Sequence, residues 1–148
     1  MPGFEIGHMI IKEDGIRCGC GNRGCFEAYG SMRKFKSDLC AMLNIAPNLS
    51  GEDMKEILTN FKNNVLVKQV IDQYLNDLTT GIINLVNLFA PETICMGGSF
   101  AYFAEFFQDP LQAKLNEANY LANDMAPTLK MARLKNDAGI LGAVLLED

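Results

Sequence analysis

Histidine occurs once in this 148-residue sequence and tryptophan not at all. No stretch reaches the roughly 18 consecutive apolar residues that span a bilayer. Nor does the start combine a charged segment with an apolar one, as a secretory leader would. A single imidazole, His8, excludes any site built on two, the H-E-x-x-H metalloprotease helix among them. Basic charge is also scarce: 13 Lys and Arg stand against 18 Asp and Glu, a net charge of -5. Phosphate backbones and anionic membranes require a basic face, so neither nucleic acid nor membrane is expected as a direct partner. The expected compartment is cytoplasmic. What is abundant is apolar: 49% of residues are hydrophobic, and a domain of this length buries about 68–70% of the surface of its unfolded chain, enough for a core without disulfides.

The periodicities predict a mixed α/β chain. Phe4 to Lys12, with Ile6, Met9, Ile10 and Ile11, reads as a strand ending at the turn Glu13-Asp14-Gly15. A loop rich in glycine and cysteine follows to Cys25. From Cys25 to Asn44 the spacing is helical, with Gly30-Ser31 as a possible break and Ser31 as an N-cap. Ser50 opens another helix with an acidic first turn and Met54, Ile57, Leu58 and Phe61 behind it. Val65 to Phe89 is the longest helical pattern, apolar over so much of its circumference that it belongs at the centre. Glu92 to Met96 predicts a strand, the glycines 97 and 98 a tight turn into a helix, and Leu111 to Leu121 a helix with Pro110 at an early position. Thr128 to Leu134 predicts a strand, and Asn136-Asp137 a cap for a last helix, Ala138 to Leu146.

His8 and the run Cys18-Gly-Cys20-Gly-Asn-Arg-Gly-Cys25 supply three thiols and one imidazole, the donor set of a closed tetrahedral zinc site. The competing readings are a disulfide, which needs an oxidising compartment and an awkward C-x-C geometry, and three unrelated thiols, which would favour apolar burial rather than Gly, Asn and Arg neighbours. Cys40 and Cys95 fall on apolar faces and are expected in the core. Glu5 and Glu27 flank the ligand set. They are either solvated carboxylates or, if metal binding gathers them, acceptors for vicinal hydroxyls.

Glu5-Ile-Gly-His8, the cysteine run, Glu27 and Ser31 together resemble the signature of the ROK family of bacterial sugar kinases and sugar-responsive repressors. Met96-Gly-Gly-Ser99 is similar to that family's glycine turn beside adenosine, and Asn136 to Ala143 to its closing helix. The resemblance implies an actin-like, hexokinase-like (ribonuclease H-like) ATPase fold, of which residues 1–148 are similar to the C-terminal domain. It further implies zinc on His8, Cys18, Cys20 and Cys25, sugar hydroxyls on Glu5, His8 and Glu27, and Gly97 and Gly98 against the nucleotide. Phe4 departs from the family's glycine at that place. The family's N-terminal domain, with its phosphate hairpin and general base, has no counterpart here, so no catalytic residue is assigned.

Two functions from that family compete with a third outside it. The first is the sugar- and zinc-binding half of an ATP-dependent hexose kinase, glucokinase-like, using ATP with Mg2+ in the full-length parent, with these 148 residues alone inactive. The second is the effector domain of a sugar-responsive repressor. The third is a structural domain whose long helix serves an interface. The resemblance and the apolar helices also imply a homodimer.

Overall fold

The computed structural model describes residues 5–118 and 126–134. The chain divides into two compact units, Met1–Leu85 and Val86–Asp148.

In the first unit the expected strand at Phe4 to Lys12 is not formed among the described residues. Ile6–His8 instead make a 3-10 turn, closed by the His8 N–H on the Glu5 carbonyl (3.0 Å), and pairing is reduced to a single antiparallel bridge, Ile10 with Cys25. The apolar run has strand propensity, but among the described residues no second strand lies alongside to satisfy a ladder, and local closure prevails. The loop from Gly15 to Cys25 is a small knuckle: Cys18 N–H bonds the Asn22 carbonyl (2.8 Å), and Arg17 and Arg23 face each other in a second isolated bridge.

Helices follow where expected. The segment from Cys25 is broken at Gly30-Ser31 into α1 (Glu27–Gly30) and α2 (Met32–Leu43), and the Ser31 hydroxyl caps α2 by accepting the Lys34 N–H (3.3 Å). Helix α3 (Gly51–Asn60) starts in a capping box: Ser50 accepts the Asp53 N–H and Asp53 accepts the Ser50 N–H. Met54 and Leu58 of α3 are buried, whereas Phe61, expected beside them, is exposed because the helix has ended before it.

Helix α4 (Val65–Phe89) buries Val67, Val70, Tyr74, Leu75, Leu78, Ile82 and Val86 along one stripe, each fully buried Leu or Val contributing about 1.5–3 kcal/mol. Its ends are less covered than the sequence suggests, with Val65, Leu88 and Phe89 exposed. Tyr74 stacks against Phe35 (4.9 Å between centroids) and donates its hydroxyl hydrogen bond toward the Gly30 carbonyl (3.2 Å), joining α4 to the end of α1.

In the second unit β1 (Thr93–Met96) pairs in parallel with β2 (Thr128–Met131), Thr93 opposite Thr128 and Met96 opposite Met131. Strand β2 stops three residues short of the expected Leu134, because β1 leaves the sheet at Gly97 to enter α5 (Gly98–Tyr102). Cys95, expected in the core, is exposed: in β1 it alternates with the half-buried Ile94 and Met96. Helix α6 (Ala104–Ala118) begins seven residues ahead of the expected Leu111, so that Pro110 lies inside it rather than near its start. An interior proline costs about 3 kcal/mol. Complete burial of Phe107, Leu111 and Leu115 at i, i+4, i+8 offsets that penalty. Phe100 and Phe103 close on Phe107 at 5.7 and 6.4 Å. The expected helix end at Leu121 and the last helix with its Asn136-Asp137 cap lie outside the described residues.

Candidate metal and hydroxyl-binding site

The knuckle, the 3-10 turn and α1 bring His8, Cys18, Cys20 and Cys25 together, with one ligand atom from each lying within 4.8 Å of the other three. Cys20 Sγ and Cys25 Sγ are 3.6 Å apart, and Cys18 Sγ is 3.7 Å from His8 Nδ1. A tetrahedron with metal–sulfur bonds of about 2.3 Å has edges of about 3.8 Å, which these two separations approach, while the remaining pairs lie within 4.8 Å. All five cysteines are free thiols. The donor set therefore fits a metal ion, and it is Nδ1 of His8 that faces the thiols.

Backbone geometry makes this convergence possible. Gly24 adopts φ +77, and a Cβ there would lie 1.7 Å from the Lys12 carbonyl oxygen, so only glycine lets the knuckle return this close to Lys12. Gly7 rests against Glu27, seating the 3-10 turn on α1.

The thiols titrate apart. The Cys20 backbone N–H pulls Cys18 down, but the Glu27 carboxylate, burial and two neighbouring thiols outweigh it and push the group up to about 12. Cys20 is lowered chiefly by the Asn22 backbone N–H, and Cys25 is raised chiefly by burial. Three thiolates beside a carboxylate repel one another, and a bound cation removes that conflict.

Glu27 sits at the edge of the shell. Its Oε1 accepts the Cys18 thiol hydrogen (3.0 Å) and lies 3.8 Å from His8 Nδ1. Glu5 is exposed at the start of the 3-10 turn, its side chain in no ion pair or hydrogen bond among the described residues. The structure thus gathers His8, the three cysteines and Glu27, and does not bring the Glu5 side chain into that group. In the second unit, Gly97 precedes α5 in extended backbone and Gly98 takes φ +59.

Sequence reasoning missed what braces this loop. Lys12 Nζ reaches Asp77 Oδ1 of α4 at 2.7 Å and lies 4.3 Å from the Tyr29 ring centroid, and Gln73 donates to the same carboxylate oxygen (3.2 Å). Asp77 is the one buried charged side chain among the described residues. Its signal was present: position 77 interrupts an apolar stripe running through Tyr74, Leu78 and Ile82. Tyr29 completes the brace, its hydroxyl accepting the Ile16 N–H at 2.6 Å.

Among known proteins, the chain is 26% identical to a xylose repressor of Caldicellulosiruptor bescii over 96% of its own length and 38% of the repressor's. It is 28% identical to a glucokinase of Thermotoga maritima over 95% and 48%. It spans about half the length, or less, of these curated relatives. A ROK family glucokinase from Streptomyces griseus, solved with glucose and AMPPNP, superimposes with a TM-score of 0.80 at 23% identity, over 96% of this chain and 50% of that one. A ROK family transcriptional regulator superimposes with a TM-score of 0.71 at 27% identity, over 95% and 37%. The α/β architecture is accordingly the one found in ROK sugar kinases. The ROK family model matches residues 3–148, and the chain belongs to the ROK family.

Proposed function

We propose that the chain is the C-terminal, sugar- and zinc-binding domain of an ATP-dependent hexose kinase of the ROK family. The observation that carries this reading is the convergence of His8, Cys18, Cys20 and Cys25 within 4.8 Å, with Glu27 3.8 Å from His8 Nδ1. Zinc suits three thiolates and an imidazole, and when bound it supplies a closed structural cross-link rather than a reactive water. With Nδ1 turned to the thiols, Nε2 of His8 keeps the proton and is free to donate to a sugar hydroxyl. Glu27 and Glu5 accept from neighbouring hydroxyls. Gly97 and Gly98 would let the backbone approach the adenosine side of ATP with Mg2+, as the left-handed turn at Gly98 permits. Phosphoryl transfer depends chiefly on positioning and electrostatics. The residues named here position the acceptor, while the base that removes its proton is assigned to none of them. This reading includes a cytoplasmic homodimer.

The test has two arms. Elemental analysis is expected to find about one zinc per chain, and calorimetry is expected to detect a hexose whose binding is lost in Glu27→Ala. Zinc-free protein with intact fold would overturn the metal assignment. Hexose binding indifferent to both His8 and Glu27 substitutions would overturn the sugar assignment. These 148 residues alone are expected to leave glucose unphosphorylated.

The likeness to a xylose repressor over 96% of this chain supports a second reading, a sugar-sensing effector domain. Phosphoryl transfer from ATP to a hexose by the natural full-length protein separates the two.

A further inference from the structure

Arginine is rare in this acidic chain, four residues in all, and three of them, Arg17, Arg23 and Arg33, fall within one short segment around the knuckle. Their placement runs against local electrostatics twice. Arg17 and Arg23 stand opposite each other in an antiparallel bridge, where like charges are unfavourable. Arg33 and Lys34 occupy the first turn of α2, which has no acidic residue there and whose dipole disfavours cations.

Part of this conflict is settled internally. Arg23 donates to the Gly15 carbonyl (3.3 Å) and Lys34 pairs with Asp38. Arg17 and Arg33 have no side-chain partner among the described residues, and both line one cavity of about 320 Å³ together with Lys34 and the hydroxyls of Ser31 and Ser37. Among the described residues, Glu27 is the one acid on that lining, against three basic side chains. Unfavourable placements that persist in a folded chain mark sites where something else supplies the compensation. Guanidinium and hydroxyl groups are the donor types that bind phosphate oxygens, and the volume lies at the small-metabolite end of ligand cavities.

We propose that this cavity is an oxyanion site for a phosphate group, free or carried on a small metabolite. It adjoins the proposed hydroxyl-binding site, sharing Glu27 with it, but requires neither His8 nor Glu5.

The test follows the zinc-loaded 148-residue chain by NMR during titration with inorganic phosphate, a hexose phosphate and the unphosphorylated hexose. Saturable shifts of the Arg17 and Arg33 guanidinium signals are expected with both phosphates. R17Q and R33Q, which alter exposed side chains, are each expected to weaken phosphate binding about tenfold with metal content and melting temperature unchanged. Tighter binding of the hexose phosphate than of phosphate assigns the group to a metabolite, and equal binding assigns free phosphate. Phosphate shifts that persist in the R17Q/R33Q double variant would overturn the site, as would identical shifts with chloride at equal ionic strength. Failure of the unphosphorylated hexose to bind would count against the sugar reading alone.

Discussion

The knuckle between Ile10 and Cys25 and the aromatic cluster of α5 and α6 hold their shapes by opposite means. The knuckle has two isolated bridges, a handful of backbone hydrogen bonds and four side chains poised around a common point. Phe100, Phe103 and Phe107 with Leu111 and Leu115 form a dry surface that needs only to be excluded from water. The first is a set of cross-links with little area behind them, and the second is area with few specific links. One should fail abruptly when a single link is lost, the other by degrees as volume is removed.

The largest effect expected from this contrast is on the knuckle. Cys25→Ser, or treatment with a strong chelator, should abolish metal binding and open residues 10–25 to hydrogen exchange, because a metal's binding energy there is local folding energy. Exchange in α5 and α6 should not change. Equal loosening of both regions would break the comparison. Next, Phe107→Ala should lower stability by about 3–5 kcal/mol in denaturant titrations while metal content stays constant.

A smaller effect tests the brace between knuckle and helix. Lys12→Met leaves the Asp77 carboxylate to Gln73 alone and should destabilise by about 1–2 kcal/mol, with faster metal release on a chelator challenge. Retained release kinetics would make the brace irrelevant to the site. The smallest lies outside both regions, at the α3 cap. Ser50→Ala should lower stability by about 1 kcal/mol by thermal melting. Asp53 in the same box is held below the usual carboxylate range, first by the Ser50 backbone N–H. A depressed folded pKa means its contribution is present at neutral pH and fades as pH falls through that value. Asp53→Asn should therefore flatten the acid limb of the melting profile.

Elements governed by local rules were legible in the sequence. The bounds of α4, the caps at Ser31 and Ser50 and the glycine turn after Met96 all follow from spacing or capping chemistry within a few residues. The misreadings arose where distant context overrides local preference. Residues 6–11 look like strand, yet among the described residues a single bridge, Ile10 with Cys25, is all the pairing they find. Pro110 looks like a helix start until the buried stripe from Phe107 to Leu115 carries the helix across it. Within the site, residue types and spacing picked out the four side chains that the fold gathers, His8, Cys18, Cys20 and Cys25. The Lys12–Asp77 brace did not announce itself, since nothing in a single sequence ties a lysine before the knuckle to an aspartate deep in α4.

One contact joins helix and site more tightly than either suggests. Phe26, between Cys25 and Glu27, lays its ring against Gly81 of α4, where a Cβ would sit 2.4 Å from the ring. On an isolated helix Gly→Ala is a gain of about 1 kcal/mol. At position 81 the same methyl would have to displace Phe26, and with it the backbone carrying the Cys25 thiol and the Glu27 carboxylate. A change that improves α4 as a helix would thus be registered as a disturbance of the cluster, which makes residue 81 answerable to side chains on another segment of the chain.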